Sequence, residues 1–561
     1  MIYHWTYENV DQTSIDQLYK ELKVNRVLCE LLVKRGIKSF EEAKTYFRGS
    51  LTKLHSPFSM MGMDTAIERI NKAIKNKEKI LFYGDYDVDG TTAVSLCYLF
   101  FRQFYEHIDY YIPDRHSEGY GISEQGIDYA TEKHCALMIA LDCGIKAIGP
   151  INYANEKGID VIVCDHHTPG EQLPPALAIL NPKQNNCKYP YKELSGCGIG
   201  FKLCEGYAEK NFIKKEKLYS FLDLLCISIA SDIVPLTGEN RILAKFGLLQ
   251  LNTKPSPGVA AMISLIQLEK AYTISDVVFK LGPRINAAGR MAHAKAAVEV
   301  LIGQTDSAVL QVKNEERQSL DQSITASALE QLELDENKDT VTNVVFNPSW
   351  HKGVVGIVAS RIIEHIYKPT IVLCESNGEL TGSARSVKGF NVYEPLKACE
   401  ELMSKFGGHA FAAGLSLPKE NLEAFKQKFD DEVRKRILPD DLIPKIAIDA
   451  QLKLSDVSDS FYHILQQFAP FGPENMRPVF ETKRLADTGY SKIVGDNHLK
   501  LSLRDTEGNR INGIAFRMGD KLSLLQRGAI DICYVLEENL WNGKTSLEII
   551  AKDIKASEYQ K

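Results

Sequence analysis

The stretch Lys79–Leu96, KILFYGDYDVDGTTAVSL, limits what this chain can fold into more than any other. An apolar run, Ile80 to Tyr83, stops at Gly84. Carboxylates follow at Asp85, Asp87 and Asp89, and then Gly90 and two threonines lead into a helix-like segment. Extended backbone through these residues would point side chains i, i+2 and i+4 the same way. Three acids on one side of a strand end repel one another unless a cation sits among them, so the first expectation is a metal site. The EF-hand loop also opens Asp-x-Asp-x-Asp-Gly, but it needs a preceding helix and a bidentate Glu at position twelve. Here the preceding segment is strand-like and position twelve from Asp85 is Leu96. That excludes the calcium loop and leaves a solvated acidic turn as the plainer rival.

The surroundings of this stretch set its class. From Lys79 to about Val234 strand-like and helix-like segments alternate, which argues for βαβ units on a parallel sheet. Expected strands include Ile108–Ile112, Ala136–Leu141, Val161–Cys164 and Ala178–Leu180, with an amphipathic helix at Asp64–Asn76 before them. Residues 1–55 read as helices and turns, periodic on both sides of Gly36. The polar stretch Asp306–Asn337 has no Gly or Pro and reads as one connecting helix. A second α/β unit follows, with strands at Asn343–Phe346 and Thr370–Cys374 and helices near Gly356–Tyr367 and Asn421–Arg436. After a linker at 438–444, alternating segments such as HLKLSLRD and INGIAF suggest a small β domain. At 561 residues, roughly three or four cores are expected.

Composition removes several function classes. The longest apolar runs fall short of a membrane span, and MIYHWTYENVDQ lacks the basic and apolar regions of a secretory signal. Twelve cysteines form no C-x-x-C pair, and Cys97, Cys164 and Cys226 sit inside apolar runs. Reduced thiols in a cytoplasmic protein are expected. With a net charge of −6, no global positive field advertises a polyanion partner. Between Arg477 and Arg527, however, ten Lys/Arg stand against six Asp/Glu. No G-x-x-x-x-G-K-[ST] loop is present, and GCGIG at Gly196–Gly200 lacks dinucleotide spacing.

Three further stretches can complete a metal site. Asp142 follows the apolar run of ALMIALDCG, and Asp165, His166 and His167 follow that of DVIVCDHH. Asp232 ends the helix-like LDLLCISIASD. Acids at the carboxyl ends of parallel strands lie where open α/β sheets assemble their sites. Taken singly, Asp142 or Asp232 would fit a helix cap, and either histidine a packed or hydrogen-bonded one. Together they supply enough carboxylates and imidazoles for two divalent ions about 3.5–4 Å apart, the arrangement that stabilises both oxygens of a phosphoryl displacement. The mixed oxygen and nitrogen set favours Mn²⁺, with Mg²⁺ as the alternative, and the lack of thiolates argues against zinc.

GDYDVDG, LDCG, CDHH and SDIVPL, in this order, resemble the DHH phosphoesterase superfamily. GPRINAAGRM, HKGVVGIVASR, GSARS, GGHAFAAG and FAPFGPENMRPVF narrow the resemblance to its single-strand-specific 5′→3′ DNA exonucleases, over most of the chain. The resemblance implies an α/β fold: an N-terminal helical region (1–55), a DHH parallel-sheet domain (56–303) and a connecting helix (304–340). A DHHA1 α/β domain (341–437) and a C-terminal OB-like β-barrel (445–556) complete it. By resemblance, Asp87 and Asp142 match ligands of one ion, with Asp85 left open as a direct ligand. Asp89, Asp142, His166 and Asp232 match those of the other, so that Asp142 bridges. Asp165 and His167 would orient the ligand imidazole or meet the scissile phosphate.

Substrate contacts are implied at Arg115, Arg284, Asn286, Arg290, His351 and His409, and the Ser383–Arg385 pair would take a terminal 5′-phosphate. Single-strand-binding protein and a RecQ-type helicase are implied partners, and a monomer away from membranes is expected. FGPENMRP departs from the FGxGNPxP form of the family, which bears on the barrel's edge and not on the metal site. Two rivals remain on the same reading. One is a small-substrate phosphodiesterase, which would not need the barrel. The other is a non-catalytic DNA-binding scaffold, which would have lost ligands.

Overall fold

The first element of the computed structural model is a strand, β1 (His4–Tyr7), where helices and turns are expected. The structure describes residues 2–334, 339–541 and 544–557. Strand β1 pairs in parallel with a strand more than four hundred residues away, so no local periodicity could reveal it. The helices that follow, Gln12–Leu22, Arg26–Lys34 and Phe40–Phe47, fall on both sides of Gly36 as the periodicity predicts. By internal contacts the chain divides into two units. One holds Gly49–Gln322 with Pro470–Asn475; the other holds Met1–Arg48, Ser323–Ala469 and Met476–Lys561.

The unit around Gly49–Gln322 is built on β2 (Lys79–Gly84), β3 (Ile108–Tyr111), β4 (Cys135–Leu141), β5 (Asp160–Cys164) and β6 (Ala178–Leu180). All pair in parallel, in the order β3-β2-β4-β5-β6. Alternate residues take opposite faces. Ile80, Phe82, Ile139, Leu141, Ile162 and Cys164 join the core shared with helices Met63–Lys75, Val88–Arg102 and Gly196–Lys210. Leu81, Tyr83, Met138, Ala140, Val161 and Val163 pack on the other face. Burial on both faces explains why these strands read as continuous apolar runs.

In the other unit, β7 (Asn343–Phe346), β8 (Thr370–Ser376), β9 (Glu379–Arg385), β10 (Lys405–His409) and β11 (Ala412–Leu417) form a sheet of order β10-β11-β9-β8-β7. The glycine-rich GGHAFAAG forms the hairpin between β10 and β11, and GSARS lies within β9 and runs one residue past it. Strand β12 (Lys445–Ile448) partners β1. A seven-stranded sheet then takes β13 (Ala450–Gln451), β14 (Phe480–Asp487), β15 (Lys492–Val494), β16 (His498–Arg504), β17 (Arg510–Ala515), β18 (Ile530–Trp541) and β19 (Lys544–Ala556). A further β14–β16 pairing curls it towards closure, the OB-like barrel anticipated.

The long helix runs Ala308–Leu334; its expected end at 335–337 lies outside the described residues. All twelve cysteines are buried free thiols. Among the described residues no helix is long and apolar enough to cross a membrane.

Candidate metal centre

Strands β2, β4 and β5 each run directly into an acid, Asp85, Asp142 and Asp165, at the carboxyl edge of the sheet. The GDYDVDG stretch is not extended past Gly84. Asp87 is the N-cap of the helix Val88–Arg102, its carboxylate accepting from the Gly90 amide at 3.0 Å, and Asp89 lies in the first turn. The three acids therefore do not share one side of a strand. A helix start favours acids through its unpaired amides, and that preference outweighs strand continuation here. Gly90 is required at this turn, because a Cβ would lie 2.4 Å from the Asp85 carbonyl oxygen.

Asp89 is fully enclosed and already compensated. Its oxygens accept from the amides of Gly196 (2.6 Å) and Cys197 (2.8 Å) and from the Ser228 hydroxyl (2.7 Å). The amides are those of the first turn of the helix Gly196–Lys210, an N-terminus that favours negative charge. The N-cap Ser195 also hydrogen-bonds Ser228, at 2.6 Å.

Asp142 has left-handed backbone (φ 61°), which Asp adopts readily, and its amide donates to the Cys164 carbonyl at 2.8 Å. That turn aims its carboxylate across the edge. Asp232, C-cap of the helix Leu222–Ser231, reaches the same place from the other side. His166 Nε2 lies 3.3 Å from Asp142 Oδ1, 3.5 Å from Asp232 Oδ2 and 3.9 Å from Asp89 Oδ2.

Electrostatics mark these groups as a set. Burial, then the Asp89, Asp87 and Asp232 carboxylates, push the Asp142 carboxyl well above the usual range. Burial followed by Asp89 and Asp87 raises Asp232 to about 9. Asp85 is raised by burial and Asp87, and Asp87 by burial and Asp89. Burial lowers the pKa of His166 and keeps it neutral, as a metal ligand must be. Asp165 and His167 behave as a separate pair. Burial opposes charge on both, but His167 Nδ1 and Asp165 Oδ1 are 2.8 Å apart, which raises the imidazole and lowers the carboxyl. Asp165 also accepts from the Ile145 amide at 2.9 Å, so it is anchored.

Divalent ions fit this donor set. Asp85 Oδ1, Asp142 Oδ1, Asp232 Oδ2 and both ring nitrogens of His166 are buried with no hydrogen-bond partner. A buried polar atom without a partner is costly unless something meets it, and of these Asp142 Oδ1 and Asp232 Oδ2 both lie within 3.5 Å of His166 Nε2. Donor atoms of Asp89, His166 and Asp232, and of Asp142, His166 and His167, lie within 4.8 Å of one another.

Of the arginines expected at substrate, Arg115 lies over the Tyr86 ring, 4.9 Å from its centroid, and its charge favours ionised Asp85. Arg290 acts electrostatically on the same Tyr86. It closes the helix Gly282–Met291, whose Gly289 passes so near Tyr86 that a Cβ would stand 2.9 Å from its carbonyl oxygen. Arg284 is engaged by the Lys280 carbonyl (2.6 Å) and Gln311 (2.7 Å); Asn286 is half-buried on the same helix.

In the other unit, Arg385 donates to Ser383 Oγ at 2.5 Å, and both lie against Gly356 in the first turn of the helix Val355–His365. His351 Nδ1 accepts from the Gly353 amide at 3.1 Å, and His409 is exposed at the end of β10.

Several site residues escaped sequence reasoning. Gly196, Cys197 and Ser228 hold Asp89, with Ser195 on Ser228, and GCGIG was their one visible trace, a serine-capped glycine-rich helix start. Tyr120 hydrogen-bonds the Asp142 carbonyl (3.2 Å) and lies 3.2 Å from His167 Nδ1. Asn181, fully buried, fixes the His167 carbonyl at 2.8 Å.

Residues 79–229 match the DHH family, N-terminal domain; residues 337–435 match the DHHA1 domain and residues 448–553 the RecJ OB domain. The single-stranded-DNA-specific exonuclease RecJ of Bacillus subtilis is 34% identical over 99% of this chain and 71% of its own. That of Escherichia coli is 33% identical over 94% and 95%. Among solved structures, RecJ of Thermus thermophilus in complex with Mn²⁺ superimposes with a TM-score of 0.84 at 25% identity, over 99% of this chain and 80% of the other.

Proposed function

The chain belongs to the RecJ family of single-stranded-DNA-specific exonucleases, and on that premise we propose how its own residues divide the work. It is a divalent-metal-dependent exonuclease on single-stranded DNA. In our reading it hydrolyses the phosphodiester nearest a 5′ end and releases 5′-mononucleotides. The observation that carries this is the approach of the partnerless Asp142 Oδ1 and Asp232 Oδ2 to His166 Nε2, at 3.3 and 3.5 Å, at the sheet edge.

Asp87, Asp142 and Asp85 would hold one ion, and Asp89, Asp142, His166 and Asp232 another. Bound there, two ions supply a water of lowered pKa and neutralise charge on the phosphoryl oxygens. The residues do the rest. The helix amides on Asp89 fix its carboxylate in place, so it is poised without reorganisation. Asp165 holds His167 protonated more readily, giving a cationic donor beside the centre for the scissile phosphate. Arg115 and Arg290 flank Tyr86 and would steady neighbouring phosphates. Ser383 and Arg385 would grip the terminal phosphate, with His351 and His409 as further contacts and Arg284 and Asn286 on the supporting helix. The barrel would hold the trailing strand by stacking and backbone contacts.

Mn²⁺ is the proposed ion, with Mg²⁺ as substitute, and a cytoplasmic monomer the proposed state. Single-strand-binding protein and a RecQ-type helicase are partners proposed by family likeness alone. The deciding experiment digests 5′-labelled single- and double-stranded oligonucleotides with Mn²⁺. Rapid release of labelled mononucleotide from the single strand, with duplex largely spared, is expected. Equal cleavage of both, or release from the 3′ end first, would overturn the polarity and strand assignments.

A further inference from the structure

One residue beside the metal centre has a backbone conformation that its own side chain disfavours. Thirteen non-glycine residues among those described have left-handed backbone, and Ile233 (φ 61°) is the single β-branched one. A β-branched side chain in that region is a genuine outlier, because Cβ crowds the carbonyl oxygen. The turn itself has a clear purpose. It follows the C-cap Asp232 and sends the chain from the acidic centre into the core, where Val234 and Leu236 are buried and the Leu236 amide donates to the Pro473 carbonyl at 2.8 Å. Glycine would make this turn without strain. Ile233 recovers little by burial, since it is 70% exposed. Strain at a residue adjoining a functional group is the pattern in which the side chain has work outside the fold.

We propose that Ile233 is a substrate-contacting residue, an apolar rest for the sugar and base of the nucleotide whose phosphate lies at the metal centre. This rests on the exonuclease reading above. The chemistry is complementary. A nucleotide offers charge only at its phosphate, and its sugar edge and base faces are apolar surfaces that need a partner once the phosphate is drawn to Asp142, His166 and Asp232. Ile233 follows Asp232 directly, so its Cα lies about 3.8 Å from that of the ligand residue. Tyr120, 55% exposed, has its hydroxyl tied to the Asp142 carbonyl of the same centre. Apolar contacts from the two would orient the terminal nucleoside without reading its base, as a sequence-indifferent exonuclease requires.

The test uses the full-length protein and a single-stranded oligonucleotide, with steady-state kinetics, thermal melting and Mn²⁺ titration calorimetry. Ile233→Gly should melt no lower than the parent, because the strain is gone. Its KM should nonetheless rise about tenfold with kcat little changed, the mark of lost binding surface (about 1.4 kcal/mol). Mn²⁺ affinity should be unaltered. Ile233→Ala should show the same KM loss, and Ile233→Leu should recover most of it. Parental KM and kcat in Ile233→Gly would overturn the proposal, reducing Ile233 to a turn residue. So would a parallel fall in Mn²⁺ affinity, which would place the effect on Asp232. An inactive parent enzyme would instead count against the exonuclease reading.

Discussion

Gly196 is the residue on which the geometry of the centre is tightest. A Cβ there would stand 2.4 Å from Asp142 Oδ1, while its amide must stay on Asp89. Gly196→Ala should therefore weaken Mn²⁺ binding by about 10–100-fold, the usual scale for residues that orient ligands, with the fold retained. Calorimetry beside circular dichroism would check this. Asp142→Ala should abolish turnover with the melting profile preserved, because Asp142 is the acid shared by both proposed ligand groups; an oligonucleotide digest reads it directly. At this scale the sequence was legible for ionisable residues. Asp85, Asp142, Asp165, His166 and Asp232 announce themselves by following apolar runs, and the structure sets Asp142 and Asp232 within 3.5 Å of His166. Gly196 and Ser228 were silent because their work is done by a backbone amide and a hydroxyl, which carry no composition signal.

At the scale of elements, two helix ends build the centre from opposite directions. The helix Val88–Arg102 begins on Asp87 and carries Asp89 into the amides that begin the helix Gly196–Lys210, with Ser228 as a third donor. Removing that hydroxyl in Ser228→Ala should cost about 1.5–3 kcal/mol, the range for a hydrogen bond to a charged group. Denaturant unfolding of the metal-free protein measures it. The alternation that revealed β2, β4 and β5 said nothing of where β2 ends. GDYDVDG suits extended chain and helix start equally, and only the position of the second helix decides between them. The GGHAFAAG hairpin was hidden for a related reason. Glycine suggests a loop, yet here the glycines lie opposite one another, Gly407 against Gly414, in paired strands.

At the scale of the molecule, the acids of the centre couple ion binding to stability. Asp232 is raised to about 9, so at neutral pH without metal the folded chain retains a proton there that the unfolded chain has lost. A raised carboxyl contributes stability that is complete below its unfolded pKa and is lost as pH climbs towards 9. The metal-free protein should therefore melt lower at pH 9 than at pH 6. Mn²⁺ should raise the melting temperature most at the higher pH, with protons released on binding. Melts with chelator and with Mn²⁺ at both pH values test this.

The unit that contains β1 depends on a different long-range tie. Trp5 is buried, and its indole donates to Asp553 at 2.9 Å. Trp5→Ala should destabilise that unit by about 3–5 kcal/mol while leaving Mn²⁺ affinity unchanged, measurable by urea unfolding with and without the ion. The parallel sheet and a small β domain could be foreseen because their patterns repeat locally. The β1–β12 pair could not, since each strand is four residues long and its partner lies far along the chain.

That pairing also sets a schedule. Lys445–Ile448 leaves the ribosome more than four hundred residues after His4–Tyr7. At about 5–20 residues per second this is a wait of roughly 20–90 s. All of Gly49–Gln322 is synthesised in that interval and can close around its own sheet. The N-terminal strand meanwhile has an unpaired edge, with Trp5 deprived of its burial site. A newborn chain of this sequence is therefore exposed to misassociation at that strand until its partner is made.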